Sequence, residues 1–294
     1  MRRAISPRKT PTMTDEEFEQ FRTLVYRRTH IACPDSHQIL FERKVRIRVA
    51  ALRLNSFRDY YAFLTTSDAG EAEFLRLVDV VAIHETSFFR IPGQFQELQR
   101  QVFPDLLNRR RSPIRVWSAG CSSGEEPYGI AMAWLEMLRH PRNAAFSAKD
   151  AQILATDISP EMIAIACAGI YPPQKVHNIP QAFLDKYLEC HDDQYRLTQQ
   201  VQTLVTFQEF NLINITTPPI ANVDVIFCRN LLIYFDRPAQ IRLITELTRL
   251  LDEGGYLFLG DAESLHPFQQ VSADFDMLES GNAIIYQKRG VHSS

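Results

Sequence analysis

The chain has 294 residues, 45% of them hydrophobic and 23% charged, with a formal net charge of -3. This balance suits one large globular domain or two unequal ones, and the small net charge offers no bulk attraction to nucleic acid. No stretch approaches the ~18 uninterrupted apolar residues of a membrane span, and the polar start MRRAISPRKTPTMTDEE lacks the apolar centre of a secretory signal, so a cytoplasmic protein without membrane insertion is expected. The cysteines, Cys33, Cys121, Cys167, Cys190 and Cys228, are far apart and form no CxxC pair, which argues against a disulfide framework and a bound metal.

Residues 1–13 read as a flexible tail and residues 14–80 as a small helical domain. In the latter, apolar residues recur at helical spacing, as in Phe18, Phe21, Leu24 and Val25, then Ile39, Leu40, Val45, Val49 and Leu52. Thr14 followed by Glu17 is a capping-box pattern, and the polar segment from Thr65 to Glu71 separates two helices. The first sixty residues carry an excess of Lys and Arg, concentrated in FERKVRIRVAALRLNSF. Residues 81–105 are expected to be a linker before a second domain over 106–290.

From Ile114 the pattern changes to short apolar runs alternating with amphipathic stretches, the rhythm of a mostly parallel sheet flanked by helices. Strands are predicted at IRVWSA, QILATDI, VTFQEF, DVIFC, YLFLG and AIIYQK, with helices at EPYGIAMAWLEML and AQIRLITELTRLL. Residues 184–204 read as an insertion carrying a short antiparallel hairpin, a small accessory lobe.

The chemistry concentrates where the first of these strands meets a helix. Gly120, Cys121, Ser122, Ser123 and Gly124 have little bulk, so a ligand can approach the backbone there. ILATDIS ends the next strand with Asp157, placed to accept hydrogen bonds from both hydroxyls of a ribose; the same stretch also reads as a helix start with Pro160 in its first turn. The loop does not spell G-x-G-x-x-G, and Glu125 and Glu126 would repel a pyrophosphate. S-adenosyl-L-methionine, with its sulfonium and ammonium cations and no phosphate, fits such carboxylates, whereas a nicotinamide dinucleotide does not.

In order and spacing, HETSFFR (84–90), RVWSAGCSSGEEPYGIAM (115–132), ATDIS (155–159), FNL (210–212) and FCRNLLIYFD (227–236) resemble the chemotaxis-receptor glutamate O-methyltransferase (CheR) family, and the resemblance spans nearly the whole chain. It implies a helical N-terminal domain and a Rossmann-like methyltransferase domain with a seven-stranded, mostly parallel sheet and a small antiparallel insertion. It implies cofactor contacts from Glu126 to the methionine amino group, from Asp157 to the ribose, from Asn211 and Leu212 to the adenine, and from Gly120, Asn230 and Leu231 around the cofactor. Thr86 and Arg90 would close over the methionine end and the reaction centre, and Arg90 and Tyr234 would be the catalytic pair. His84 stands where many family members have Asn, and is read as a tolerated cofactor-side variant. Phe88, Phe89, Leu232, Ile233 and Phe235 are expected to be packing residues.

By the same resemblance, the substrate would be glutamate side chains on the cytoplasmic helical bundle of a methyl-accepting chemotaxis receptor, the product S-adenosyl-L-homocysteine, and the enzyme a monomer. Arg43, Lys44, Arg46, Arg48 and Arg53 are candidates for meeting the acidic bundle. HDDQYRL is short, acidic and free of glycine, so no tethering to a receptor C-terminal peptide is expected. Two alternatives are a cofactor-binding adaptor without activity and a methyltransferase with another substrate.

Overall fold

The computed structural model describes residues 12–82, 84–109, 112–280 and 283–290; most of the expected tail lies outside these residues. The chain divides into two compact units, one ending at Ile83 and the other beginning at His84.

The first unit is helical: α1 (Asp15–Thr29), α2 (Gln38–Ala51), α3 (Phe57–Thr66) and α4 (Gly70–Val81). The expected capping box is present, with Thr14 accepting from the Glu17 amide and Glu17 reaching back to the Thr14 amide. Phe18, Phe21, Val25, Phe41, Val45, Val49, Phe57, Tyr60, Leu64, Phe74, Leu77 and Val78 are buried, so each helix turns one apolar stripe inward. Polar groups are also committed inside. Glu73 accepts from Arg48 through Nε at 2.8 Å and Nη2 at 2.9 Å, and from the Tyr60 hydroxyl at 2.9 Å.

In the second unit, α5 (Pro92–Glu97), a π-helical turn (Leu98–Val102) and α6 (Phe103–Asn108) precede the sheet. The stretch expected as a linker is therefore mostly helix within this unit, because Phe88, Phe89, Phe95, Leu98, Val102, Phe103, Leu106 and Leu107 are apolar at helical spacing and join its core. The strands are β1 (Ile114–Ala119), β2 (Ala151–Asp157), β3 (Ile170–Tyr171), β4 (Leu188–His191), β5 (Gln194–Leu197), β6 (Val205–Glu209), β7 (Val223–Cys228), β8 (Leu251–Leu259), β9 (Phe275–Ser280) and β10 (Ala283–Lys288). Among the described residues, seven form one sheet in the order β6-β2-β1-β7-β8-β10-β9, parallel except for β10, which runs antiparallel to both neighbours. Between strands lie α7 (Glu125–Leu138), α8 (Pro160–Ala168), the short α9 (Pro173–Val176), α10 (Gln181–Tyr187) and α11 (Gln199–Gln202), then α12 (Arg237–Leu250) and α13 (Gln269–Ser272).

Side chains alternate across the sheet, so a strand covered on both faces must be apolar at every position. β7 follows this over its last four positions: Val225 and Phe227 join one core with α5, α6 and α7, while Ile226 and Cys228 join a second core with α12; the buried Asp224 before them departs from it and accepts from the Arg115 amide at 2.8 Å. Phe227 stacks on Phe258 at 4.2 Å, a contact that contributes about 0.5–1.5 kcal/mol beyond its buried area.

Three expectations are corrected. β8 starts at Leu251 rather than near Tyr256, directly after α12, with Gly254 at φ 71° beside the register shift between Val223 and Val225. β9 was missed because FDMLES is an edge strand with only Phe275 fully buried, leaving almost no apolar signal. The antiparallel insertion is a three-stranded sheet, β3-β5-β4, so it begins before residue 184 and is more than an accessory lobe: the Tyr171 hydroxyl of β3 donates to the Ser123 carbonyl of the small-residue loop at 2.7 Å.

Candidate functional site

The central strands β6, β2, β1 and β7 run parallel, so their C-terminal ends share one edge of the sheet. Chain order reverses between β1 and β7, and ligands of open α/β sheets bind at such a switch point. The loop after β1 is folded by its backbone: the amides of Gly120 and Cys121 both donate to the Thr156 carbonyl, at 2.8 and 2.9 Å. Gly120 has φ 79°, and a Cβ there would lie 2.9 Å from Leu231 Cδ1, so the loops after β1 and β7 touch and glycine is required at the contact.

Asp157 ends β2 as a buried carboxylate whose two oxygens accept from the Ser122 amide at 2.8 Å and the Ser159 amide at 3.0 Å. Both readings of ATDISPEM hold together, since Ser159 caps α8 and Pro160 opens it. Burial pushes the Asp157 carboxyl up from its ordinary value, while the two amides and the neighbouring His84 pull it down. The expected cofactor-side variant thus lies beside the expected ribose ligand.

Glu126, in the first turn of α7, accepts from Ser118 Oγ at 2.7 Å and from Arg229 Nη1 at 3.1 Å. The side chain of Arg229 is 2% exposed, and its second terminal nitrogen donates to the Arg90 carbonyl. Burial pushes Glu126 up and the Arg229 guanidinium down, and each restrains the other. An arginine stays protonated at any ordinary pH, so this is a desolvated ion pair.

Residues 84–90 are tied across the same edge. Lys175 Nζ donates to the Thr86 carbonyl at 3.2 Å and pairs with the fully buried Glu125 at 2.8 Å. Phe88 packs edge-on against Tyr171, and Phe89 against Phe95 and Phe183. Phe89 and Ile91, on either side of Arg90, have φ 52° and 61°. Such left-handed geometry in aromatic and β-branched residues costs of order 1–3 kcal/mol each and persists only where packing over-determines it. Arg90 is half-buried, with Nη1 donating to the Glu85 carbonyl at 3.1 Å. Tyr234 is also half-buried; desolvation pushes its hydroxyl up and the Arg90 charge pulls it down, so the two residues expected to act together are neighbours.

Asn211 caps the turn after β6, its Oδ1 accepting from the Ile213 amide at 3.1 Å, and Leu212 packs partly into the second core. Asn230 follows β7 in the left-handed region at φ 55°. Leu232 is buried and Phe235 half-buried, but Ile233 is 55% exposed, contrary to the expected packing role. The tight turn Leu232–Tyr234 points one residue inward and the next out.

The structure therefore brings every expected site residue to the C-terminal edge of the sheet or to the segment crossing it. Three buried polar atoms on the loops after β1 and β7 have no hydrogen-bond partner among the described residues: the oxygens Ser122 Oγ and Asn230 Oδ1, and Arg229 Nε. Unpaired acceptors beside the carboxylates of Glu126 and Asp157 fit a cationic ligand bearing hydroxyl and amino donors. Sequence reasoning missed Arg229, Lys175, Ser118 and Glu263. Arg229 alone left a signal, since a guanidinium directly after the apolar run 225–228 requires a buried partner.

The chain matches two family models: the CheR methyltransferase all-alpha domain over residues 16–82 and the CheR methyltransferase SAM binding domain over residues 84–287. It is 34% identical to a chemotaxis protein methyltransferase of Borreliella burgdorferi, over 86% of this chain and 89% of that protein. A chemotaxis protein methyltransferase 2 of Vibrio cholerae is likewise 34% identical, over 86% of this chain and 87% of that protein. A chemotaxis protein methyltransferase of Vibrio anguillarum is 31% identical, over 94% and 98%.

Proposed function

The chain belongs to the CheR methyltransferase family and uses S-adenosylmethionine, and from that premise we propose that it methylates glutamate side chains on the cytoplasmic helical bundle of methyl-accepting chemotaxis receptors. The observation that carries this reading is the separation of charge along the sheet edge. Carboxylates at Glu126 and Asp157 lie with the unpaired Ser122 and Asn230 oxygens, while Arg90 and Tyr234 supply donors for an anionic acceptor.

Glu126 is positioned for the methionine ammonium, Asp157 for the ribose hydroxyls, Asn211 and Leu212 for the adenine, and Gly120, Asn230 and Leu231 for the walls between them. His84 and Thr86 belong to the segment that closes over this pocket. When bound, the cofactor supplies a methyl group on a positively charged sulfur. Arg90 and Tyr234 hold the acceptor carboxylate so that one oxygen faces that methyl in line with sulfur. Transfer of that methyl to the carboxylate oxygen would leave the C–S bonding pair on sulfur and give a glutamate methyl ester and S-adenosylhomocysteine. A glutamate, with a reference pKa of about 4.3, is already ionised near neutral pH, so the site needs no general base. Placement is its main contribution, and orientation of this kind supplies on the order of 7 kcal/mol or more.

Recognition of the bundle is assigned to the exposed face of α2. Of the five basic residues considered for it, Arg48 is spent on Glu73, Lys44 on the carbonyls of Val81 and Ala82, and Arg46 on Glu42, whereas Arg43 and Arg53 are exposed. Ile39 and Ile47 are exposed on the same helix, so the face offers apolar contact beside a modest positive charge. The β4–β5 turn, with Asp192 and Asp193 both at positive φ, is a tight acidic reversal, and no peptide tether is assigned to it. No helix among the described residues is long and apolar enough to cross a membrane.

The test is transfer of radiolabelled methyl from S-adenosylmethionine to receptor cytoplasmic fragments. Base-labile label on receptor glutamates is the expected result. Cofactor binding with no label on any receptor fragment would sink the substrate assignment.

A further inference from the structure

Glu263 lies three residues beyond Gly260, where β8 has just ended beside the loop that follows β7. Its carboxylate gathers three backbone donors. Oε2 accepts from the Asn230 amide at 2.7 Å and the Gly260 amide at 2.7 Å, and Oε1 accepts from the Leu232 amide at 2.8 Å. One side chain thus pins both ends of the dipeptide Asn230–Leu231, the first residue of which has φ 55°, in the left-handed region that asparagine tolerates. The approach is close enough that a Cβ on Gly260 would lie 2.7 Å from the Asn230 amide nitrogen and 2.8 Å from Glu263 Oε2.

The two pinned residues are those that form the β7 side of the pocket. Leu231 rests on Gly120, and Asn230 carries the buried Oδ1 that lacks a partner among the described residues. A loop held by two bonds to a carboxylate, which the Gly260 amide anchors in turn, keeps that acceptor in place before any ligand arrives, whereas an unpinned loop would have to be ordered on binding.

We propose that Glu263 is a positioning residue for the methyl donor, acting through Asn230 and Leu231 without touching the donor itself. This rests on the cofactor assignment above and extends it to a residue of the loop that follows the neighbouring strand. Glu263→Gln keeps the shape but offers one acceptor oxygen in place of two and sets an NH2 group against a backbone N–H.

Calorimetric titration with S-adenosylhomocysteine, with apo-protein melting and receptor KM measured on the same samples, tests the idea. Glu263→Gln is expected to weaken binding about ten-fold while leaving apo melting and receptor KM near wild type. If Glu263 acts through Asn230, the Glu263→Gln/Asn230→Ala double variant is no weaker than Asn230→Ala alone. Wild-type affinity in Glu263→Gln, or losses that simply add in the double variant, would overturn the proposal while leaving the cofactor assignment intact. Failure of the wild-type protein to bind S-adenosylhomocysteine would sink both. If Glu263→Gln does not fold, Gly260→Ala, which displaces the clamp without changing charge, should show the same ten-fold loss, and normal binding there would refute the role.

Discussion

Two buried arginine–glutamate pairs in this protein have different surroundings. In the helical unit, Arg48 grips Glu73 through two nitrogens, the Tyr60 hydroxyl completes the carboxylate, and the pair faces apolar helices. In the catalytic unit, Arg229 reaches Glu126 through one nitrogen, spends another on the Arg90 carbonyl, and has a buried Nε without a hydrogen-bond partner among the described residues. In the first network both carboxylate oxygens are engaged, with Arg76 approaching from the surface at 3.6 Å. The second is open, with unpaired atoms nearby at Ser122 and Asn230. A desolvated charge whose bonds are all made holds structure together; one whose surroundings are incomplete is set up for a ligand.

Breaking the first pair should have the largest effect, and on stability alone. Glu73→Ala strands Arg48 and is expected to cost about 3 kcal/mol in denaturant unfolding followed through the helical unit, with S-adenosylhomocysteine affinity unchanged. Arg90→Ala should act in the opposite way. Turnover on receptor fragments should fall about 100-fold, near 2.7 kcal/mol, with cofactor affinity nearly unchanged; a matching collapse of cofactor binding would refute its role toward the acceptor. Arg229→Lys keeps the charge but loses the planar fork that reaches Glu126 and the Arg90 carbonyl together, so both cofactor affinity and turnover should fall, by roughly ten-fold each. Unchanged kinetics in that variant would make the open network merely structural.

The open network should also be visible in pH dependence. Glu126 and Asp157 both have pKa values raised by burial, so in the apo protein their favourable contribution to folding is present below the unfolded pKa and lost as pH rises through the raised one. A ligand that presents an ammonium group and ribose hydroxyls as donors is held best when they are ionised. Affinity for S-adenosylhomocysteine is therefore expected to decline as pH is lowered from neutrality, beginning above the ordinary carboxylate range of about 4, without loss of fold. Flat affinity down to that range would contradict the proposed ammonium and ribose contacts. The smallest effect is expected at the exposed face of α2, where Arg43→Glu should raise the receptor KM about three-fold and alter its salt dependence with no change in cofactor binding.

Much of this was legible in the chain itself. The capping box at Thr14, the small-residue turn after β1, Asp157 at a strand end and the apolar run of β7 are local patterns whose consequences follow from spacing. Ile233 was misread and β9 missed for the same physical reason: the direction of one side chain in a tight turn, and the pairing of an edge strand, are set by neighbours remote in sequence.

By itself, the sequence determined the two kinds of domain, the sheet with its loop of small residues, and carboxylates suited to a cation, because periodicity and residue chemistry act over a few positions. Only the tertiary structure decided that residues 84–108 belong to the catalytic unit, that Arg229 joins Glu126 to the backbone of Arg90, and that Glu263 holds the loop after β7. The partners Glu126 and Arg229 lie 103 positions apart, and Asn230 and Glu263 lie 33 apart. A buried charge advertises its need for a counterpart, but which residue meets that need depends on how the strands are ordered in space.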